Sequence, residues 1–199
     1  MIVSHKCRCV YMPPPKTGTT SVEMSLMKIG GEPFYWEHPK HLKHSCFMVP
    51  QLQDYYVFAT VRNPYTLVLS KFQYGNIWRG NPNENTQKNF EKYVLSMPNA
   101  GPRRACLHQI KNLSVGFTRK KPKNHIDYKI HSFLKLESLE EDFNKLPFVK
   151  QPIKVPHLYK TKQYGLLYTP PMVKRVLRNF RPDFDFFEYE EEIPENLLL

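Results

Sequence analysis

Long apolar runs are absent from this chain of 199 residues. None approaches the ~18–20 residues a helix needs to cross a bilayer. The opening MIVSHKCRCVYM has no signal-peptide core either. The expectation is a soluble, cytoplasmic protein. Cysteine is sparse: four residues, at 7, 9, 46 and 106, with no Cys-x-x-Cys pair. That argues against a zinc centre and, without a secretory context, for free thiols. Cys7 and Cys9 alternate on an expected strand, so they should face opposite ways. Acidic residues are few: 18 Asp plus Glu against 29 Lys plus Arg, a net charge of +11. This balance predicts anionic partners without choosing among nucleotide, nucleic acid, acidic polysaccharide and membrane surface. No helix-turn-helix, RRM or KH signature is present, so nucleic acid is not the expected partner.

What remains is ample for a folded core. Hydrophobic residues make up 41% and aromatics 14%, which excludes a disordered chain. The length suits one domain spanning 1–199, with 187–199 as an acidic C-terminal tail.

Residues 9–29, CVYMPPPKTGTTSVEMSLMKI, organise the rest. A short apolar run ends in three prolines, which cannot continue a sheet interior. Lys16-Thr17-Gly18-Thr19-Thr20-Ser21 follows, and then a helix over 19–29 with Val22, Leu26 and Ile29 on one face. Strand, turn and helix in this order form an anion site. Gly18 lets the backbone approach a ligand, the helix start offers N–H groups, the hydroxyls add donors and Lys16 adds a charge.

Further on, YYVFATV (55–61) reads as a strand buried on both faces, closed by Arg62-Asn63-Pro64. Pro64 opens a helix running through Tyr74. A loop at 80–87, a helix at 87–96, a strand at 132–136 and a helix at 138–146 capped by Ser138 follow. A short helix near 40–46 and a helix over 170–180 complete the elements, and DFDFFEYEEEIPE reads as an aromatic turn with an acidic tail. Strand–helix alternation predicts an α/β, three-layer, P-loop-NTPase-like fold with a mainly parallel central sheet flanked by helices.

An ATP-type phosphate loop needs lysine after its second glycine, and here lysine precedes the only one. A metal-holding acidic residue is also expected at a strand end, where this chain has Arg62. The site therefore reads as metal-free, built for a nucleotide with two separate phosphate-type groups. Arg62 sits where open α/β sheets place ligands, and Ser70 follows eight residues on. A guanidinium and a hydroxyl make a good monophosphate site.

These segments together resemble the sulfotransferases that use 3′-phosphoadenosine 5′-phosphosulfate (PAPS), in their carbohydrate and bacterial-type branch. PPPKTGTTS resembles the family's 5′-phosphosulfate loop, and VRNPYTLVLSKF its 3′-phosphate motif. FLKLESLEEDF (133–143) and VLRNFRPDFDFFEY (176–189) resemble its strand–Glu segment and C-terminal signature. The resemblance implies transfer of a sulfuryl group from PAPS to an acceptor hydroxyl, with a carbohydrate as first choice. It places Lys16 at the leaving phosphate and Arg62 and Ser70 on the 3′-phosphate. It puts a His base between the first helix and the strand before Arg62: His41 first, His38 second, with His44 and Glu37 also there. Lys160, Thr161 and Lys162 fall where relatives cover the nucleotide, without the Asn-x-Ser pattern expected there. Glu137 reads as a buried structural carboxylate before an acceptor-site group. Tyr35, Trp36, Tyr74 and Trp78 are candidates for stacking on a sugar. The alternatives are a P-loop-like kinase or NTPase, a nucleic-acid-binding module, and an inactive nucleotide-binding protein.

Overall fold

Four short strands carry side chains that alternate between two apolar clusters, and that alternation builds the sheet. A computed structural model describes residues 2–30, 52–98, 129–158 and 165–199. The short helix expected near 40–46 lies outside them. The described residues group into two compact units, one within 1–62 and 109–159, the other within 63–108 and 160–199.

The first unit is α/β. Its strands are β1 (Ile2–Ser4), β2 (Cys9–Met12), β3 (Tyr56–Val61) and β4 (Ser132–Lys135), in the order β1-β2-β3-β4. β2, β3 and β4 are parallel, with Tyr11 beside Phe58 and Thr60 beside Leu134. β1 runs antiparallel to β2. The sheet is thus mixed but mostly parallel. On one face Cys9, Tyr11, Phe58 and Leu134 meet Val22 and Leu26 of α1 (Thr19–Gly30) and Phe143 of α4 (Leu139–Asn144). On the other face Val10, Met12, Val57 and Ala59 form a second cluster with Leu52.

The strand expected from residue 7 begins at Cys9. Residues 5–8 form a turn in which Arg8 has φ of 47°, which lets the three-residue β1 fold back. That turn breaks the alternation expected of the two cysteines. Cys7 and Cys9 are both free thiols. Rather than facing apart, they interact: a hydrogen bond from Cys7, followed by burial, pushes the Cys9 thiol up.

The second unit is helical, built from α2 (Pro64–Trp78), α3 (Gln87–Leu95) and α5 (Pro170–Phe187). Tyr65, Phe72, Phe90, Tyr168, Val176 and Phe184 are at its core. Asn63 caps α2, its side chain accepting from Tyr65 N at 3.0 Å. Thr86 caps α3 in the same way through Asn89 N. α5 outruns its expected end at Phe180 and passes through Pro182 to Phe187. Phe180, Phe184 and Phe187 recur at helical spacing and are all buried, so burial outweighs the lost N–H of the proline. The acidic tail is docked as well: Tyr65 Oη donates to Glu191 O at 2.8 Å, and Leu199 N donates to Tyr168 O at 3.1 Å.

Candidate functional site

β2 delivers the chain to Pro13-Pro14-Pro15 and then to a turn made by two residues with left-handed backbone, Lys16 at φ 72° and Gly18 at φ 87°. Glycine suits position 18 on two counts. An L side chain there is strained by φ alone, and its Cβ would lie 2.6 Å from Leu136 Cδ1. After this turn α1 starts at once. Its first backbone bond, Val22 N to Gly18 O at 3.2 Å, leaves the amides of Thr19, Thr20 and Ser21 without a partner inside the helix. Those N–H groups and the helix dipole favour an anion at this end.

The loop is fastened from below by three hydroxyls. Thr17 Oγ1 donates to Pro14 O at 2.7 Å and lies 2.6 Å from Thr60 Oγ1. Thr60 Oγ1 lies 2.7 Å from Tyr11 Oη. Each hydroxyl has one proton. Since Thr17 gives its proton to Pro14, Thr60 must donate to Thr17 and Tyr11 to Thr60. The relay therefore runs one way, from the middle of β2 through β3 to the loop. Tyr11 and Thr60 are fully buried, and burial raises the Tyr11 phenol well above its ordinary value.

This corrects part of the expected donor set. The Thr17 hydroxyl is fully buried and spent inside the protein. Ser21 is also buried, and its Oγ accepts from Leu158 N at 3.4 Å. What Thr17 can offer an anion is backbone N–H, while the Ser21 oxygen, in accepting from Leu158, does not use its own proton. Thr19 and Thr20 are partly exposed residues.

Arg62, the residue after β3, reaches the same loop: its Nη1 donates to Lys16 O at 3.2 Å. Lys16 is held below the usual lysine value, first by burial and then by the charge of Arg62. Two cations are thus kept side by side at the C-terminal ends of adjacent parallel strands. Such a pair lowers its own repulsion by sharing an anion. Among the described residues no group of three or more His, Cys, Asp or Glu could hold a metal.

Ser70 lies buried on α2 in the helical unit, and Lys16–Ser21 and Arg62 lie in the α/β unit. Glu137 is exposed, contrary to the buried brace expected of it. Asp142 does that work: its Oδ2 accepts from Lys135 N and from Ser138 Oγ, each at 2.9 Å. A three-residue 3-10 turn, Leu136–Ser138, follows the strand and leaves Glu137 exposed, while Asp142 in the first turn of α4 reaches back to the strand end. Trp78 is exposed at the end of α2, and Tyr74 is half-exposed. Glu37, His38, His41, His44, Lys160, Thr161, Lys162, Tyr35 and Trp36 lie outside the described residues.

Tyr11, Thr60 and Leu158 were not singled out from sequence. Tyr11 and Thr60 carry only a weak signal, polar hydroxyls inside otherwise apolar strands. Leu158 carries none, because it acts through its backbone. Compared with known proteins, the chain matches no protein-family model, no curated protein and no solved structure.

Proposed function

We propose that this chain is a PAPS-dependent sulfotransferase on a P-loop-like, three-layer α/β scaffold. The acceptor is a hydroxyl, with a carbohydrate as first choice. The observation that carries the reading is the pairing of Lys16 and Arg62 at the ends of two parallel strands, beside the open amides of α1. Cations, hydroxyls and amides suit phosphate and sulfate oxygens, and no carboxylate at the β3 end invites a metal.

When bound, PAPS supplies an activated sulfuryl group. Lys16 and the Thr19–Ser21 amides are aimed where negative charge grows on the departing 5′-phosphate, which is where preorganised donors act most strongly. Arg62 serves the 3′-phosphate, with Ser70 as its partner in the sequence motif. Lys160, Thr161 and Lys162 are the candidates for covering the nucleotide, on the sequence resemblance alone. The base is a histidine, His41 before His38 and His44, with Glu37 as the carboxylate alternative; imidazole titrates in the range such a step needs.

Calorimetry with adenosine 3′,5′-bisphosphate and with ATP–Mg tests the nucleotide site. The bisphosphate should bind without metal, and Arg62→Ala should weaken it by about 2 kcal/mol, the scale of a charge-assisted hydrogen bond. Tight ATP–Mg binding that ignores the 3′-phosphate would favour the kinase or NTPase reading. One alanine variant among the three histidines should lose turnover and keep nucleotide affinity. If all three stay active, Glu37 is tested next. Bisphosphate binding with no transfer to any hydroxyl would leave an inactive nucleotide-binding protein.

A further inference from the structure

The helical unit holds a second cationic cleft, of about 480 Å³, between α2 and α3. Helical spacing explains its lining. Lys71, Gly75 and Arg79 follow one another at intervals of four along α2, and Asn89, Lys92, Tyr93 and Ser96 share one face of α3. Phe72 and Tyr93 form its apolar wall and touch as a tilted ring pair. Gly75 keeps the middle open, since a Cβ there would meet nothing within 4 Å.

Charge decides what the cleft suits. Lys71, Arg79 and Lys92 line it with a single carboxylate, Glu84, which already accepts from Asn89 Nδ2. None of the three cations takes part in a salt bridge among the described residues. Lys71 is held below the usual lysine value by burial, and the buried Asp183 opposes that shift. In the acidic tail, Glu191 pairs with Arg181 at 2.7 Å. Lys71 and Arg79, eight residues apart, stand about 12 Å apart along the helix axis at 1.5 Å per residue. Lys92 stands across from them on α3.

We propose that this cleft binds an elongated ligand carrying sulfate, phosphate or carboxylate groups at two places about 12 Å apart. One oxyanion lies at Lys71, the other at Arg79, and Lys92 closes the far side. The site stands on the helical unit alone and does not depend on the phosphosulfate reading of the Lys16 loop.

The probe is a fully sulfated tetrasaccharide, with its unsulfated counterpart as control. Amide chemical shifts locate the binding, and titration gives Kd. Shifts along Lys71–Arg79 and Asn89–Ser96 are expected, with no binding of the neutral sugar. Arg79→Glu and Lys92→Glu should each weaken binding about tenfold or more, the equivalent of one charge-assisted contact. Gly75→Phe should do the same by filling the cleft, and it improves helix propensity, so it tests the site without unfolding the unit. Retained affinity in Gly75→Phe and in both charge reversals overturns the proposal. So does equal binding of the neutral sugar, or shifts that map anywhere other than α2 and α3.

Discussion

One methyl group at position 18 would sit on a backbone at φ 87° and push aside the tip of Leu136, 2.6 Å away, so the loop from Lys16 to Ser21 favours the absence of a side chain there. The residues beneath it are as specific. Because the hydroxyl relay runs from Tyr11 through Thr60 to Thr17, its members are not equivalent. Tyr11→Phe removes the first donor and leaves Thr60 still donating, a loss of about 1 kcal/mol. Thr60→Val strips the acceptor from Tyr11 and the donor from Thr17 together, leaving buried polar groups unpaired at a cost of about 1–3 kcal/mol. Urea denaturation of both variants should rank them in that order. The reverse order would contradict the central place of Thr60 in the relay. A buried hydroxyl wire of this kind was only half legible in the sequence. The Thr-rich loop announced itself, but the partners forty residues away did not, because hydroxyls on buried strands look like ordinary strand residues.

At the scale of elements, β2, α1, β3, α2, α3 and β4 fall close to where periodicity places them, because each has a clean apolar face or a proline or glycine at its border. The misses have local causes. β1 is three residues long, too short for any pattern. α5 was expected to stop before its proline. Instead it continues, because Phe184 and Phe187 have a core to enter. Pro182 therefore sits in the helix at a cost, lacking the N–H that would bond to residue 178. Pro182→Ala should stabilise the helical unit by ~1–3 kcal/mol, with thermal unfolding as the measure. A destabilised variant would show that the proline ring itself fills necessary space.

For the whole molecule, charge and proton linkage point the same way. Lys16 and Lys71 are both held below the ordinary lysine value by burial. Between their folded pKa values and the ordinary one, the unfolded chain carries protons that the folded chain has released. Stability from these two groups therefore rises with pH through that window. The net charge of +11 at neutrality also falls towards the pI of about 9.4, which relieves self-repulsion. The Cys9 thiol and the tyrosines set the upper limit, the thiol from the ordinary cysteine value of about 8.5 upward. Burial raises Tyr11 and Tyr93, and burial with the charge of Glu191 pushes Tyr65 up to about 12. Their contribution is present below the ordinary tyrosine value and is lost as pH rises through the folded ones. Thermal midpoints should thus climb from pH 7 towards about pH 8.5, where the thiol begins to oppose the lysines, and fall beyond about pH 10. Lys16→Met should flatten part of the climb and, on the proposed nucleotide reading, abolish bisphosphate binding. A midpoint that falls steadily from pH 7 to 9 would contradict the linkage.

The sequence by itself determined the α/β alternation, the anion loop from Lys16 to Ser21, the cation at the end of β3 and the absence of a lysine after Gly18. These are local facts: proline, glycine, charge and periodicity act within a few residues of where they stand. Only the tertiary structure decided that the Thr17 side chain is spent internally and that Asp142, not Glu137, braces the strand end. It also decided that Arg62 grips the backbone of Lys16, and that Lys71, Arg79 and Lys92 converge on one cleft. Each of these depends on which groups distant in sequence become neighbours. That is set by packing, not by the composition of any one segment.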